Sequence, residues 1–312
     1  MPLTPALSQA LQRRLLHPPF LVDLTRSVDR VFFCAAAMCR SRVYGEASLQ
    51  QVQSTAMSIK RISSRDNPDF RHLTALANDS RTRRATAETL LDGAHLVEEA
   101  LAANLSLGLV AVTETSLPSW TGRVAGAPLV VCPEALLRQI SPVATPSGVV
   151  ASLHLPMPGA PFPAGDVLLL EDIQDPGNMG ALLRTAAAAG VRQVLLSRGC
   201  TEAWSPKALR GGQGAQFRLQ IREGADLVTE AAQLAIPVYA AVLEAAQSLY
   251  DLSLAQPAAF AFGNEGAGLS ADLRAVTTGF RIPMPGGTES LNVGAACAIT
   301  LFERVRQRQT LE

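Results

Sequence analysis

Phe280-Arg281-Ile282-Pro283-Met284-Pro285-Gly286-Gly287-Thr288-Glu289-Ser290-Leu291-Asn292-Val293-Gly294 is the stretch on which the fold turns. A short apolar run broken by prolines gives way to two glycines, then to a hydroxyl and an amide. An amphipathic helical pattern follows, from 291 to about 309. Ser290 is the expected N-cap of that helix, since its oxygen can accept from N–H groups left free in the first turn. Gly286 and Gly287 let the main chain approach a ligand with no Cβ in the way. The stretch reads equally as a binding loop and as a plain strand-to-helix connection.

Upstream of it, residues 166–284 alternate strand and helix. Strands are expected at 167–173, 193–197, 218–221, 238–242, 258–262 and 280–284, which predicts an α/β fold with a mainly parallel sheet covered by helices. In such sheets ligands gather at the carboxyl ends of strands. Three loops there, besides the opening stretch, are chemically unusual. The first, Asp175-Pro176-Gly177-Asn178-Met179-Gly180, enters a helix that is apolar on nearly every face around Arg184. A helix of that kind is normally buried, and a buried guanidinium needs either a carboxylate or a cleft where an anion arrives. Asn178 can cap that helix or face a ligand. The second, Gly263-Asn264-Glu265-Gly266-Ala267-Gly268, is glycine-rich but lacks both nucleotide-binding spacings. Its Glu265 can pair with Arg184 or with a cationic ligand. In the third, around Ser205, Lys207, Arg210 and Gly214, two cations sit near a helix start, as an anion contact or as ordinary surface.

The preceding region, 57–154, reads as a smaller α/β domain, with Asp66-Asn67-Pro68 as the cap of a helix running to about residue 77 and strands at 89–91, 107–112, 128–131 and 148–153. Arg81, Arg83 and Arg84 form a cluster that suits either a solvated loop or RNA phosphates. Residues 155–165 hold four prolines and are the expected linker. Residues 1–56 are arginine-rich and poorly patterned; a disordered extension, or a true start at Met57, is expected.

Composition narrows the function classes. At 312 residues the chain suits two domains. Lysine plus arginine and aspartate plus glutamate balance at 27 each, so net charge announces no polyanionic partner. Lys60 and Lys207 are the only lysines, leaving arginine, the bidentate phosphate ligand, as the main cation. No run is long and apolar enough for a membrane helix. Five scattered cysteines with no C-x-x-C pairing suit reduced thiols and a cytoplasmic setting. Residues 166–312 contain no histidine, which argues against a metal centre and against a Ser-His-Asp arrangement.

Taken together, the ordered motifs resemble the SpoU (TrmH-like) branch of the SPOUT RNA methyltransferases. They are Asp175-Pro176-x-Asn178-x-Gly180 with Arg184 and Gly190, Lys207 with Arg210-x-x-x-Gly214-Ala215, Gly263-Asn264-Glu265-x-x-Gly268-Leu269, and Ile282-Pro283-Met284 through Ser290-Leu291-Asn292-Val293. Gly212 departs from a serine frequent in the family. Thr145-Pro146-Ser147-Gly148-Val149-Val150 is similar to the segment closing an N-terminal RNA-binding domain like ribosomal protein L30e. The resemblance implies a SPOUT-type parallel sheet with helices on both faces and a C-terminal trefoil knot, preceded by an L30e-like domain. It also implies a homodimer and methylation of a ribose 2′-oxygen of rRNA or tRNA by S-adenosyl-L-methionine. Asn178, Arg184, Glu265, Ser290 and Asn292 would be catalytic or RNA-facing. Gly263, Asn264, Gly268, Ile282, Met284 and Leu291 would hold the cofactor. Arg81, Arg83, Arg84, Lys207 and Arg210 are the candidate RNA contacts. The rival reading is an RNA-binding protein on the same scaffold without catalysis.

Overall fold

The computed structural model describes residues 59–124, 126–141, 143, 146–157 and 165–309, which fall within one compact unit spanning Met57–Glu312. The expected N-terminal extension lies outside the described residues, as does most of the proline-dense linker.

Two sheets organise the described residues. The first contains β1 (Lys60–Arg61), β2 (Glu88–Asp92), β3 (Leu107–Val112), β4 (Leu129–Val131) and β5 (Val149–His154), in the order β1-β4-β3-β5-β2. It is mixed: β1, β4 and β3 run parallel, while β5 is antiparallel to both β3 and β2. Its helices are α1 (Pro68–Asn78), α2 (Ser80–Thr86), α3 (Ala94–Ala102), α4 (Leu117–Trp120) and α5 (Glu134–Ile140). Asn67 caps α1 as expected, its side chain accepting from Asp69 N. The arginine cluster is a helix rather than a loop. Asp79 caps α2 through Arg81 N and Thr82 N, and that turn aims Arg83 inward while Arg81 and Arg84 remain exposed.

The second sheet contains β6 (Val167–Leu170), β7 (Gln193–Leu196), β8 (Gln220–Arg222), β9 (Val238–Ala241), β10 (Ala259–Phe262) and β11 (Thr278–Phe280), in the order β11-β9-β10-β6-β7-β8. Every pairing in it is parallel. Accordingly β6 and β10 are buried on both faces, as strands sandwiched between helices must be. Those helices are α6 (Pro176–Ala188), α7 (Pro206–Gly212), α8 (Leu227–Gln233), α9 (Ala271–Ala275) and α10 (Val293–Gln309).

The largest departures from the expected strand ends each have a local reason. β6 stops at Leu170 because Asp172 adopts a left-handed backbone, φ 54°, held by Ser197 Oγ donating to its carboxylate at 2.5 Å. A 3₁₀ turn at Ala215–Arg218 delays β8. β11 ends at Phe280 rather than continuing to 284, since Arg281 turns its N–H to Gln247 O and its carbonyl to Leu249 N, and Pro283 and Pro285 beyond it have no N–H to give a ladder. The departure at Gly212 also has a cause. A Cβ there would lie 2.4 Å from Gln216 Oε1, so the fully buried Gln216 side chain occupies the space a serine would need.

One buried ion pair joins the last helix to the first strand of this sheet. Arg304, 2% exposed, places Nη2 2.7 Å from Asp166 Oδ1, and the same oxygen accepts from Ala258 N. Burial pushes the Asp166 carboxyl up and the Arg304 guanidinium down, so desolvation outweighs the attraction on both partners. Removing Arg304 leaves the buried carboxylate with only the Ala258 N–H and the more distant Arg308, 3.8 Å away. Arg304→Met is therefore expected to lower the unfolding free energy by about 3–5 kcal/mol at neutral pH, read by denaturant titration. Because the folded carboxyl titrates above its unfolded value, the deficit should be full at neutral pH and fade as acid protonates Asp166.

Candidate active site

Four loops leave the carboxyl ends of β6, β9, β10 and β11, which are neighbours in the sheet. At the entrance to α10, Asn292 Oδ1 accepts from Gly294 N at 2.9 Å and Ala295 N at 3.3 Å. Asn292 is thus the cap, in place of the expected Ser290, and the helix begins two residues later than read. Two main-chain donors fix the orientation of the Asn292 amide, leaving its Nδ2 to donate to Asn178 Oδ1 at 3.1 Å. That contact in turn orients Asn178, whose Nδ2 donates to Glu265 Oε1 at 2.9 Å. A directed chain of hydrogen bonds runs from a helix N-terminus through two amides to a carboxylate and ties three loops together.

Asn178 is free for this role because it does not cap α6. Asp175 does, accepting from Asn178 N at 2.8 Å. That backbone hydrogen bond, with Lys207 3.6 Å away, holds the Asp175 carboxyl below its ordinary range. Burial alone would raise the Glu265 carboxyl, but the hydrogen bond from Asn178 and nearby backbone amides carry it below the ordinary value. Both groups are therefore ionised at neutral pH.

The turn bearing Glu265 is closed by main chain. Asn264 and Gly268 exchange backbone hydrogen bonds at 3.1 and 2.9 Å, and Asn264 Oδ1 accepts from Gly266 N and Ala267 N at 2.9 Å each. A Cβ on Gly263 would lie 2.3 Å from the Gly268 carbonyl, so only glycine allows the two chain segments to cross there.

These loops enclose a cavity of about 490 Å³. Gly263, Asn264, Gly268, Ile282, Met284 and Leu291 all line it. So do Asn178, Glu265, Ser290 and Asn292. The sequence reading missed Val242 and Leu243, which close another side; their signal was their place after β9, between two site-bearing strands. Leu243 is 54% exposed and Leu291 36%, the half-open apolar walls of a ligand site.

Arg184 is not among the lining residues. It lies on an exposed strip of α6 between Ala181 and Ala188, while Met179, Leu182, Leu183 and Ala186 face the core. The expectation of a helix buried all round is corrected: Ala181, Arg184 and Ala188 are exposed on one face, although Ala181 lies beside Gly294 of α10. Glu265 pairs with Asn178, not with Arg184. The cation on the lining, Arg281, is occupied, its Nη1 donating to Ala245 O and Ala246 O.

Of the candidate RNA contacts, Arg83 and Arg210 are engaged within the protein. Arg83 meets Glu202 and Arg210 meets Asp92. Arg81, Arg84 and Lys207 are exposed, although Arg84 lies 2.9 Å from Glu202. Among the described residues no cluster of histidine, cysteine, aspartate and glutamate could hold a metal ion, and no helix is long and apolar enough to cross a membrane.

The model of the SpoU rRNA Methylase family matches residues 166–302, and that of the MRM3-like substrate binding domain matches residues 67–151. An uncharacterized tRNA/rRNA methyltransferase of Synechocystis is 34% identical over 80% of this chain and 95% of its own length. The chain belongs to the SpoU family. Within it, the 23S rRNA (guanosine(2553)-2′-O)-methyltransferase RlmP of Bacillus subtilis is 33% identical over 70% of this chain and 89% of its own. The crystal structure of an RNA 2′-O ribose methyltransferase superposes with a TM-score of 0.69 at 32% identity, covering 80% of this chain and 99% of that one. The AdoMet-bound rRNA methyltransferase from Sinorhizobium meliloti does so with a TM-score of 0.72 at 25% identity, covering 80% and 98%.

The crossing at Gly263 generates a direct test. Gly263→Ala should weaken cofactor binding by at least about tenfold in calorimetric titration, because the intruding methyl meets backbone that cannot rotate away. Gly286→Ala, with nothing within 4 Å of the added carbon, should bind as the parent does.

Proposed function

We propose that this SpoU-family protein transfers a methyl group from S-adenosyl-L-methionine to a ribose 2′-hydroxyl of rRNA or tRNA in the cytoplasm, acting as a homodimer. The observation that carries the reading is the Glu265–Asn178–Asn292 chain on the wall of an apolar cavity. The cavity fits this cofactor: apolar side chains such as Leu243, Ile282 and Leu291 offer room for a heterocycle, and the Glu265 and Glu289 carboxylates favour a cation. When bound, the cofactor supplies a methyl group on a positively charged sulfur, ready for in-line displacement.

The chain's own residues then have to place a poorly acidic hydroxyl and stabilise charge on its oxygen. Asn178 and Asn292 hold fixed amide dipoles at the cavity wall, and Ser290 offers a hydroxyl beside them. A guanidinium, protonated at all physiological pH, suits a developing alkoxide better than it suits proton abstraction. Arg184 is the candidate, and its exposed position supports its delivery by a second copy. The exposed faces of α6 and α10 carry Ala181, Ala188, Ala295 and Phe302, the last 48% exposed. Small residues around one aromatic let two helices of a twofold mate approach closely. The trefoil knot is part of the same proposal. It is supported by Arg281 binding the 245–246 backbone and by Gln307, on α10, binding Leu252 O and Leu254 N. Residues 57–154 are assigned as the RNA platform and 166–312 as the methyltransferase domain, with Arg81, Arg84 and Lys207 as phosphate contacts.

Arg184→Ala should keep cofactor binding and lose methyl transfer. Co-expressed with Gly263→Ala and assayed at a cofactor concentration where the Gly263→Ala cavity is largely empty, it should recover about a quarter of wild-type activity, because half of randomly assembled twofold dimers contain one complete site. Recovery of nothing, with mixed dimers isolated by two tags, would place Arg184 at its own chain's cavity. Wild-type turnover by Arg184→Ala alone would end its assignment.

A further inference from the structure

The two sheets are joined by charges that have no reason to be buried if the platform merely swings on a tether. β2 is the edge strand of the first sheet, yet all five of its residues are buried. What covers it is the segment 202–210 of the second half. Thr89 Oγ1 donates to Trp204 O at 2.5 Å. Asp92, whose side chain is 2% exposed, accepts from Arg210 Nη1 at 2.7 Å and from Ser141 Oγ at 2.6 Å. Below them Arg83 places Nη2 2.5 Å and Nε 3.0 Å from Glu202 Oε2, and its Nη1 donates to Leu76 O. Apolar residues of both halves, among them Leu91, Leu153, Trp204 and Leu209, belong to one continuous core.

Apolar contact alone has no direction, and such a junction tolerates sliding. A buried carboxylate tolerates it poorly: Asp92, 2% exposed, would lose Arg210 on any shift, and Glu202 would lose Arg83 at the edge of an open cleft. Two pairs of this kind, carried by different elements, permit one register only. We propose that Asp92–Arg210 and Glu202–Arg83 are positioning residues for methyl transfer: they fix the RNA platform at one offset from the cavity and so determine which nucleotide along the RNA presents its ribose. The proposal rests on the functional reading above. It gives Arg83 and Arg210 a role inside the protein instead of on the RNA.

The test is nucleotide-resolution mapping of 2′-O-methyl groups on rRNA and tRNA purified from cells lacking the gene, after incubation with full-length protein and S-adenosyl-L-methionine. Wild type should modify one position. The Asp92→Asn/Glu202→Gln double variant should bind the cofactor as wild type does, show a several-fold lower kcat/KM, and spread methyl groups to riboses flanking that position. Arg210→Lys, which keeps the charge, should retain the single site. Should the double variant not fold, Glu202→Gln alone, which preserves shape, carries the same expectation. A folded variant that keeps one site at unchanged kcat/KM overturns the proposal. Absence of any methyl group from wild-type reactions would instead reject the functional reading beneath it.

Discussion

Two backbone amides at the start of α10 donate to the side-chain oxygen of Asn292, and from that contact the orientation of every polar group on the cavity wall follows. Main chain cannot flip, so Asn292 cannot, so Asn178 presents its oxygen to one neighbour and its nitrogen to Glu265. The chain is aligned with the helix dipole, positive at the α10 terminus and negative at the carboxylate. Its members come from three loops separated by 87 and 114 positions. Those loops meet because a wholly parallel sheet sends all its carboxyl ends to one edge, and because β6, β10, β9 and β11 are neighbours there. Preorganised dipoles of this kind need no rearrangement when charge develops beside them, which is where electrostatic catalysis gains most.

The same logic recurs at the junction of the two halves. At the cavity, polar contacts orient a site; at β2, they orient a domain. Both use charges in places where apolar side chains would serve stability equally well or better, as the raised Asp166 and lowered Arg304 illustrate for a third buried pair. What such groups supply is a single arrangement. For an enzyme that must choose one ribose in a long polymer, a single arrangement is the property that matters.

Much of this was legible in the sequence, and the failures have a common cause. The strand and helix alternation, the loops at 175–180, 263–268 and 282–292, and the cap at Asn67 follow from local patterns. Side-chain partners across the chain do not. Ser290 and Asn292 are both good caps, and only the packing of α10 against α6 selects the second. Alanine is indifferent to burial, so the composition of α6 could not separate its core face from the exposed face that carries Arg184. Arg83 reads like Arg81 and Arg84 until α2 forms and turns it towards Glu202, a partner 119 residues away. The strand that ends at Phe280 was overextended because prolines in an apolar run keep its hydrophobicity while removing its hydrogen bonds.

The claim on which everything else depends is that the cavity delivers a methyl group to a ribose hydroxyl. Incubating the purified protein with S-adenosyl-L-methionine labelled in its methyl group and RNA from cells lacking the gene, then digesting to nucleosides, measures this directly. The account predicts label in a 2′-O-methylated ribonucleoside and none in DNA of the same sequence, which has no 2′-hydroxyl. Label on a base, or equal label in DNA, would contradict it.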